Sequence, residues 1–223
     1  MENSSESLAL TGKVMAQQAN PQPRKNRGLG PSILKASTIA YLVMGIVGFE
    51  ICWWYHKNVR TLLGDISYNH ATTLYIVVAA VAFLLLFQRL MEDFFASYVT
   101  FKRRMALMFG GLGWLGVIWL ALVSAVGEEI LFRGAIQPFL GLWFTSVLFG
   151  LLHLDPEGGV SAWTVWAMVA GVILGAVVEV TGSLWPAIMI HFLVNFVGIR
   201  ALTRIVLKPV KATPDVSGGP GGP

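Results

Sequence analysis

The sequence predicts an all-α protein, a polytopic transmembrane helical bundle of about six membrane segments, one of them short or broken. Three observations carry this. Of the 223 residues 55% are hydrophobic and only 13% charged, with mean hydropathy +0.66, whereas an ordinary soluble domain carries roughly 25% charged residues. Apolar runs occupy residues 36–54, 71–87, 105–126, 139–152, 160–178 and 182–199. A spanning helix needs about 17 to 25 residues, so five runs are long enough and 139–152 is too short. Finally, backbone polar groups in lipid must bond within their own segment, which makes helices the natural open-ended solution.

Four regions follow in order. Residues 1–35 are polar, rich in Ser, Gln, Asn and Pro, and are expected to be a flexible cytoplasmic segment. They lack the early apolar core of a cleavable signal peptide, so the first span is expected to be a retained anchor. Residues 36–104 hold two N-terminal transmembrane helices and a basic loop, 105–200 the membrane core that carries the motifs, and 201–223 a basic, then Gly/Pro-rich flexible tail. Arg24, Lys25, Arg27 and Lys35 precede the first span, Arg89, Lys102, Arg103 and Arg104 separate the second from the third, and Arg200, Arg204, Lys208 and Lys211 follow the last. The positive-inside rule then places both termini and the 88–104 segment in the cytoplasm. Trp53, Trp54, Trp163 and Trp185 lie near run ends, where interfacial anchors are expected.

If the third run begins straight after Arg104, Glu128 lies about 36 Å further along a helix, towards the far side of the bilayer unless the helix is tilted or begins as a surface segment. A full return crossing would carry His153 away from it. Gly134, Pro138 and Gly141 offer a break, and a helix restarting near Leu142 descends only about 16 Å before reaching His153. The half-depth return brings His153 back near the glutamates, with residues 155–159 lining a wet cavity.

Three polar blocks stand in this apolar background: Glu128-Glu129-Ile130-Leu131-Phe132-Arg133, Phe149-Gly150-Leu151-Leu152-His153 and His191-Phe192-Leu193-Val194-Asn195. A charge at the centre of a spanning helix costs roughly 2.5 to 3.5 kcal/mol, so each charged residue needs a partner, a wet cavity or a function. Glu129 and Arg133, four positions apart, are expected to pair on one helix face. Glu128 points about 100° away, has no local partner, and suits a general base that takes a proton from water and returns it to a leaving amine. His191 and Asn195 share a face and can direct a neutral imidazole N–H and a carboxamide N–H at a developing oxyanion. His153 can orient the water with Glu128. Two His and a Glu are also zinc-ligand types, so Glu128, His153 and His191 are the set to consider if a divalent metal is required. The helical H-E-x-x-H arrangement is absent.

The ordered set E-E-x-x-x-R, F-x-x-x-H and H-x-x-x-N resembles the CPBP family of intramembrane proteases over about residues 105–200. That family includes the type II CAAX prenyl endopeptidases and bacterial relatives linked to bacteriocin self-immunity or C-terminal sorting signals. The resemblance implies a membrane-embedded endopeptidase acting on a membrane-associated protein or peptide. Glu128 and His153 would activate water, His191 and Asn195 would form the oxyanion hole, and Glu129 with Arg133 would support the site. The family has been read as metal-dependent and as glutamate-dependent; the i to i+4 geometry favours the metal-free form, with zinc or another divalent ion the alternative.

Other features have blander readings. Glu50 and Glu179 near run ends are expected to have packing or interfacial roles, His56 and His70 to be solvated, and Asp155, followed by Pro156, to serve a turn. Cys52 cannot form an intrachain disulfide and reads as a small hydrophobe. Gly110, Gly111, Gly113 and Gly116 suggest close packing around the third span rather than a phosphate loop. No nucleic-acid motif is present; the partners implied are the bilayer and a substrate within it. Two rival classes remain, a non-catalytic scaffold or immunity-type binding protein and an ion or proton carrier.

Overall fold

The computed structural model describes residues 30–56, 69–155 and 159–206. The order is α1 (Gly30–His56), α2 (His70–Phe94), α3 (Ala96–Phe109), α4 (Trp114–Glu129), a π-helical segment (Ile130–Ile136), α5 (Gln137–Leu151), α6 (Ala162–Thr181) and α7 (Leu184–Val206). Among the described residues there is no sheet, only an isolated bridge between Asp155 and Gly159. Among the described residues five helical stretches are long and apolar enough to cross a membrane, Trp114–Leu151 counting as one. This is a multi-pass integral membrane protein.

Two helix ends differ from the sequence boundaries. α1 begins at Gly30 inside the expected polar segment, because Pro31 sits in its first turn, where a missing N–H costs nothing. α7 runs on to Val206, with Arg204 in its last turn facing the negative end of the helix dipole. The remainder of the expected N-terminal segment, of the first loop and of the tail lies outside the described residues, as do Pro156, Glu157 and Gly158 of the expected cavity-lining stretch.

The largest correction concerns the third run, which is not one helix from Met105. It is split at Gly110–Gly113, where Gly111 has φ 87°, a left-handed conformation that favours glycine. Gly110, Gly111 and Gly113 therefore make a turn, and the expected close packing accompanies it: a Cβ on Gly30 of α1 would stand 2.9 Å from the Gly110 carbonyl oxygen, and one on Gly116 3.4 Å from Leu34 Cδ2. α3 becomes a separate, amphipathic helix, and α4 starts at Trp114, so Glu128 lies about 21 Å along it instead of about 36 Å.

The expected break after the glutamates is present. Gly141 has φ 72° and ψ 171°, which interrupts α5 where the sequence analysis restarts the helix at Leu142. Glu128 and His153 would be about 37 Å apart on a straight helix; their side chains approach to 3.9 Å. The chain therefore folds back on itself at Gly141, forming a hairpin within the bilayer whose descending arm ends at His153.

α1 crosses this hairpin closely. A Cβ on Gly127 would stand 2.4 Å from the Tyr41 carbonyl oxygen, and one on Gly48 2.7 Å from Leu131 Cα. The opposite face of α1 exposes Ile39, Leu42, Val43, Ile46 and Val47, a surface suited to lipid. The central core joins α6 and α7 through Ala167, Ala170, Leu174, Ala187, Ile190 and Val194. Trp54 and Trp185 are exposed, whereas Trp163 stacks between Phe101 of α3 and Trp166, with centroids 4.9 Å from each.

The loop after His153 is closed by two backbone hydrogen bonds between Asp155 and Gly159 (2.9 and 2.8 Å), the turn expected for Asp155. The Asp155 carboxylate also pairs with Arg104, tying α3 to this turn, and Lys102 ties α3 to Glu92 of α2 at 2.6 Å.

Gly127→Ala and Gly48→Ala are predicted to destabilise the protein by about 1–3 kcal/mol through overpacking. Gly198→Ala, whose Cβ meets nothing within 4 Å, should be neutral or stabilise by up to about 1 kcal/mol. Thermal unfolding midpoints of the detergent-purified variants check the contrast.

Candidate active site

The hairpin, α6 and α7 bring all six sequence-selected residues into one cluster. Glu128 and Glu129 end α4, Arg133 lies in the π-helical segment, His153 follows the descending arm of α5, and His191 and Asn195 face inwards from α7. Glu128, Glu129, Arg133 and His191 are buried, and a quarter of the His153 side chain remains accessible.

Glu129 is the hub. Its Oε1 accepts from Arg133 Nη1 at 3.0 Å and from His191 Nδ1 at 2.7 Å. The Arg133 guanidinium also donates through Nη2 to the Gly171 carbonyl at 3.2 Å and lies 4.5 Å from the Phe149 ring centroid. The expected i to i+4 pair therefore exists, although the helix changes to π geometry between its members. π-bulges occur often at functional sites, and no sequence signal announces this one.

Phe149 gives a physical reason for the F-x-x-x-H spacing. Its ring covers Arg133 and lies 4.5 Å from the His153 ring, while its carbonyl oxygen receives a hydrogen bond from His153 Nδ1 at 2.7 Å. A carbonyl only accepts, so Nδ1 carries the proton and a neutral His153 presents a bare Nε2. The same accounting holds at His191, whose Nδ1 meets a carboxylate. Its Nε2 then donates only when the ring is an imidazolium, which modifies the neutral N–H expected from the sequence.

Nε2 of His153 and Nε2 of His191 lie 3.9 and 3.8 Å from Glu128 Oε2, too far for direct hydrogen bonds. That oxygen is buried and takes no hydrogen bond from the protein. The arrangement is thus a small polar chamber of acceptors into which a donor, water or imidazolium, must enter. As metal ligands the three groups fit in kind, with each Nδ1 held by a second partner as metal-bound histidines require. Their separations of 3.9 and 3.8 Å compare with about 3.3 Å between two donors on a tetrahedral zinc, so a bound ion would draw them together by about half an ångström. Among the described residues no group of three or more His, Cys, Asp or Glu closes to metal-holding distance.

The cluster opens into a cavity of about 320 Å³. Its walls are largely apolar, including Phe101, Met105, Trp163 and Trp166, with Gln88 and Lys102 also on the lining. Asn195 reaches it too and donates from Nδ2 to Ser124 Oγ at 2.9 Å. Tyr41 lines the same space, and its hydroxyl interacts with Glu128.

Several supporting residues were not picked out from the sequence. Ser124 stands one turn before Glu128, so the helical spacing alone could have marked it. Gln137, one turn after Arg133, donates to the Gly175 carbonyl and to Glu179, each at 3.1 Å. Gly171 and Gly175 form a small-xxx-small pair; a Cβ on Gly175 would stand 2.5 Å from Leu142 Cδ1 and 2.6 Å from Gln137 Oε1. Their missing side chains let Arg133 and Gln137 reach the α6 backbone. Tyr41 comes from the first span, which carries no motif. Glu179 has the packing role expected of it, while Glu50 and His70 are exposed and His56 closes α1.

The protein is thus a polytopic helical membrane bundle whose buried acids and imidazoles share one chamber with largely apolar walls. The chain belongs to the family described as "Type II CAAX prenyl endopeptidase Rce1-like", whose model matches residues 76–197, a family of intramembrane proteases. All six site residues lie within the match. The chain is also similar to a protein of Bacillus subtilis (strain 168) described as "Uncharacterized protein YpbD", 37% identical over 83 residues, which cover 36% of this chain and 42% of that protein. The chain thus spans less than half the length of that curated relative. No solved structure gives a significant match.

Arg133→Met is predicted to cost about 3–5 kcal/mol, because Glu129 would stay buried without its cation. Adding Glu129→Gln should return a substantial part of the loss. Denaturation of both variants in mixed micelles measures the difference; equal losses would show that Glu129 is not charged in the fold.

Proposed function

We propose that the protein is an intramembrane endopeptidase that hydrolyses a peptide bond in a membrane-associated protein, using a glutamate-activated water and no metal. The observation that carries the reading is the facing of Glu128 Oε2 and His153 Nε2 across 3.9 Å in a chamber open to an apolar cavity. Two acceptors so placed suit one water that donates a proton to each. The family match supports proteolysis as the chemistry.

In the reaction, Glu128 removes a proton from the water as its oxygen bonds to the scissile carbonyl carbon. The negative charge that appears on the carbonyl oxygen is met by the Asn195 carboxamide and by His191. As an imidazolium, His191 holds Glu129 through Nδ1 and donates through Nε2, and the charges of Glu128, Glu129, Arg133 and His191 then sum to zero. Such neutrality matters where an uncompensated charge is costly to desolvate. When the carbon–nitrogen bond breaks, Glu128 passes its proton to the departing amine, so no proton is gained or lost. Preorganised donors of this kind contribute roughly 2.7 to 4 kcal/mol each to stabilising the transition state. Were a divalent ion bound, Glu128, His153 and His191 would hold it, and it would supply a more acidic water.

The expected outcome is that Glu128→Gln removes a set of protein termini from native membranes that the wild type generates. Asn195→Ala should lower their rate of appearance by about 10²- to 10³-fold, and a chelator should leave the wild-type rate unchanged. Identical termini in wild type and Glu128→Gln, with equal expression, would transfer support to the non-catalytic binding or immunity reading. Loss of activity in chelator, restored by a divalent ion, would overturn the metal-free mechanism.

A further inference from the structure

We propose that Ser124 is a positioning residue that sets which face of the Asn195 carboxamide looks into the chamber; the inference rests on the hydrolase reading above. Two side-chain bonds, one helical turn apart, join α4 to α7. His191 Nδ1 meets Glu129 Oε1 at 2.7 Å, and Asn195 Nδ2 meets Ser124 Oγ at 2.9 Å. Each donor group on α7 is thus backed by an acceptor on α4. Ser124 is buried, and its own hydroxyl hydrogen is directed to the Ala121 carbonyl at 3.2 Å. With that hydrogen engaged, the serine oxygen has only lone pairs to offer Asn195.

The consequence follows from amide geometry. One Nδ2 hydrogen is held by Ser124, and the other projects about 120° away in the plane of the group. Ser124, Glu128, His191 and Asn195 line the same cavity, so the second hydrogen is available to a carbonyl oxygen brought beside Glu128. Rotating the amide by half a turn would set Oδ1 against the Ser124 oxygen, which could meet it only by turning its hydrogen away from the Ala121 carbonyl. Without Ser124 both orientations are open, and one of them presents an oxygen to the growing negative charge. Ser124 touches no reacting atom in this scheme; it acts through Asn195.

The test uses the full chain in micelles, labelled with 15N-asparagine, the Asn195 side-chain signal being assigned by its loss in Asn195→Ala. Ser124→Ala should shift that signal and speed exchange of its protons with water by at least about tenfold, as expected when a buried hydrogen bond opens. Ser124→Thr, which keeps the oxygen, should restore it. In native membranes, Glu128-dependent termini should appear at least about tenfold more slowly in Ser124→Ala, approaching the loss from removing an oxyanion donor, and at near wild-type rate in Ser124→Thr. Combining Ser124→Ala with Asn195→Ala should cost nothing beyond Asn195→Ala alone. An unchanged Asn195 signal in Ser124→Ala, or additive losses in the double variant, overturns the inference. Absence of Glu128-dependent termini in the wild type overturns the hydrolase reading instead.

Discussion

A single carboxylate oxygen, Glu129 Oε1, receives both the Arg133 guanidinium and the His191 ring, and the remainder of the site is arranged around that fact. A buried carboxylate is stable in an apolar interior only if its charge is balanced and its lone pairs are used. Arg133 balances it, but the guanidinium must itself be satisfied. Its second arm goes to the Gly171 carbonyl and its face to Phe149. Those demands place α6 without a side chain at Gly171, Phe149 opposite Arg133, and hence His153, one turn beyond Phe149, beside Glu128. The three motifs are one electrostatic unit distributed over four elements.

The part of this unit visible in the sequence is the part written at helical spacing. Glu129 with Arg133, and His191 with Asn195, fall at i to i+4, and the apolar runs that contain them show which elements are helices. The half-depth return could also be read, because Gly141 interrupts a run too short to cross. What could not be read depends on contacts between distant segments. The tautomers of His153 and His191 are set by a carbonyl four residues away and a carboxylate sixty-two residues away. The π-helical segment is equally silent, since its residues are as apolar as those of an α-helix. Gly110–Gly113 was legible in part: clustered small residues announced the close approach of α1, but that they also turn the chain shows only in the φ of Gly111. Trp163 likewise sits at a run end, where an aromatic residue suits either an interface or a cavity wall.

The helical hairpin solves a problem of depth. Polar groups must be held among apolar helices that keep their own backbone bonds intact, and irregular backbone is tolerated only where protein or a wet cavity covers it. Turning the chain at Gly141 places the end of α5 at the level of Glu128, so that the loop carrying His153 lies against α3 and not in lipid. α3 closes the cavity with Tyr98, Phe101 and Met105, while its Lys102 bonds Glu92 and its Arg104 pairs with Asp155. Burial, with Glu92 nearby, pushes the Tyr98 phenol above its usual range, so it stays neutral and serves as wall rather than as acid or base.

Energetics divide the groups of the site into two kinds. Glu129, Arg133 and His191 satisfy one another and lock α4 to α7. Glu128 is satisfied only in part: the Tyr41 hydroxyl interacts with it, yet its Oε2 is buried without a hydrogen bond from the protein. His153 makes the same point from the opposite wall: its Nδ1 is anchored, yet its Nε2 is left without a donor at 3.9 Å from that oxygen. Two acceptors facing each other, one buried and one partly accessible, add little to a fold, but they suit a water that donates a proton to each. A carrier would need such groups repeated along a path across the bilayer. Here they converge on one chamber backed by a neutralised ion pair, an arrangement suited to chemistry at a single point rather than to passage.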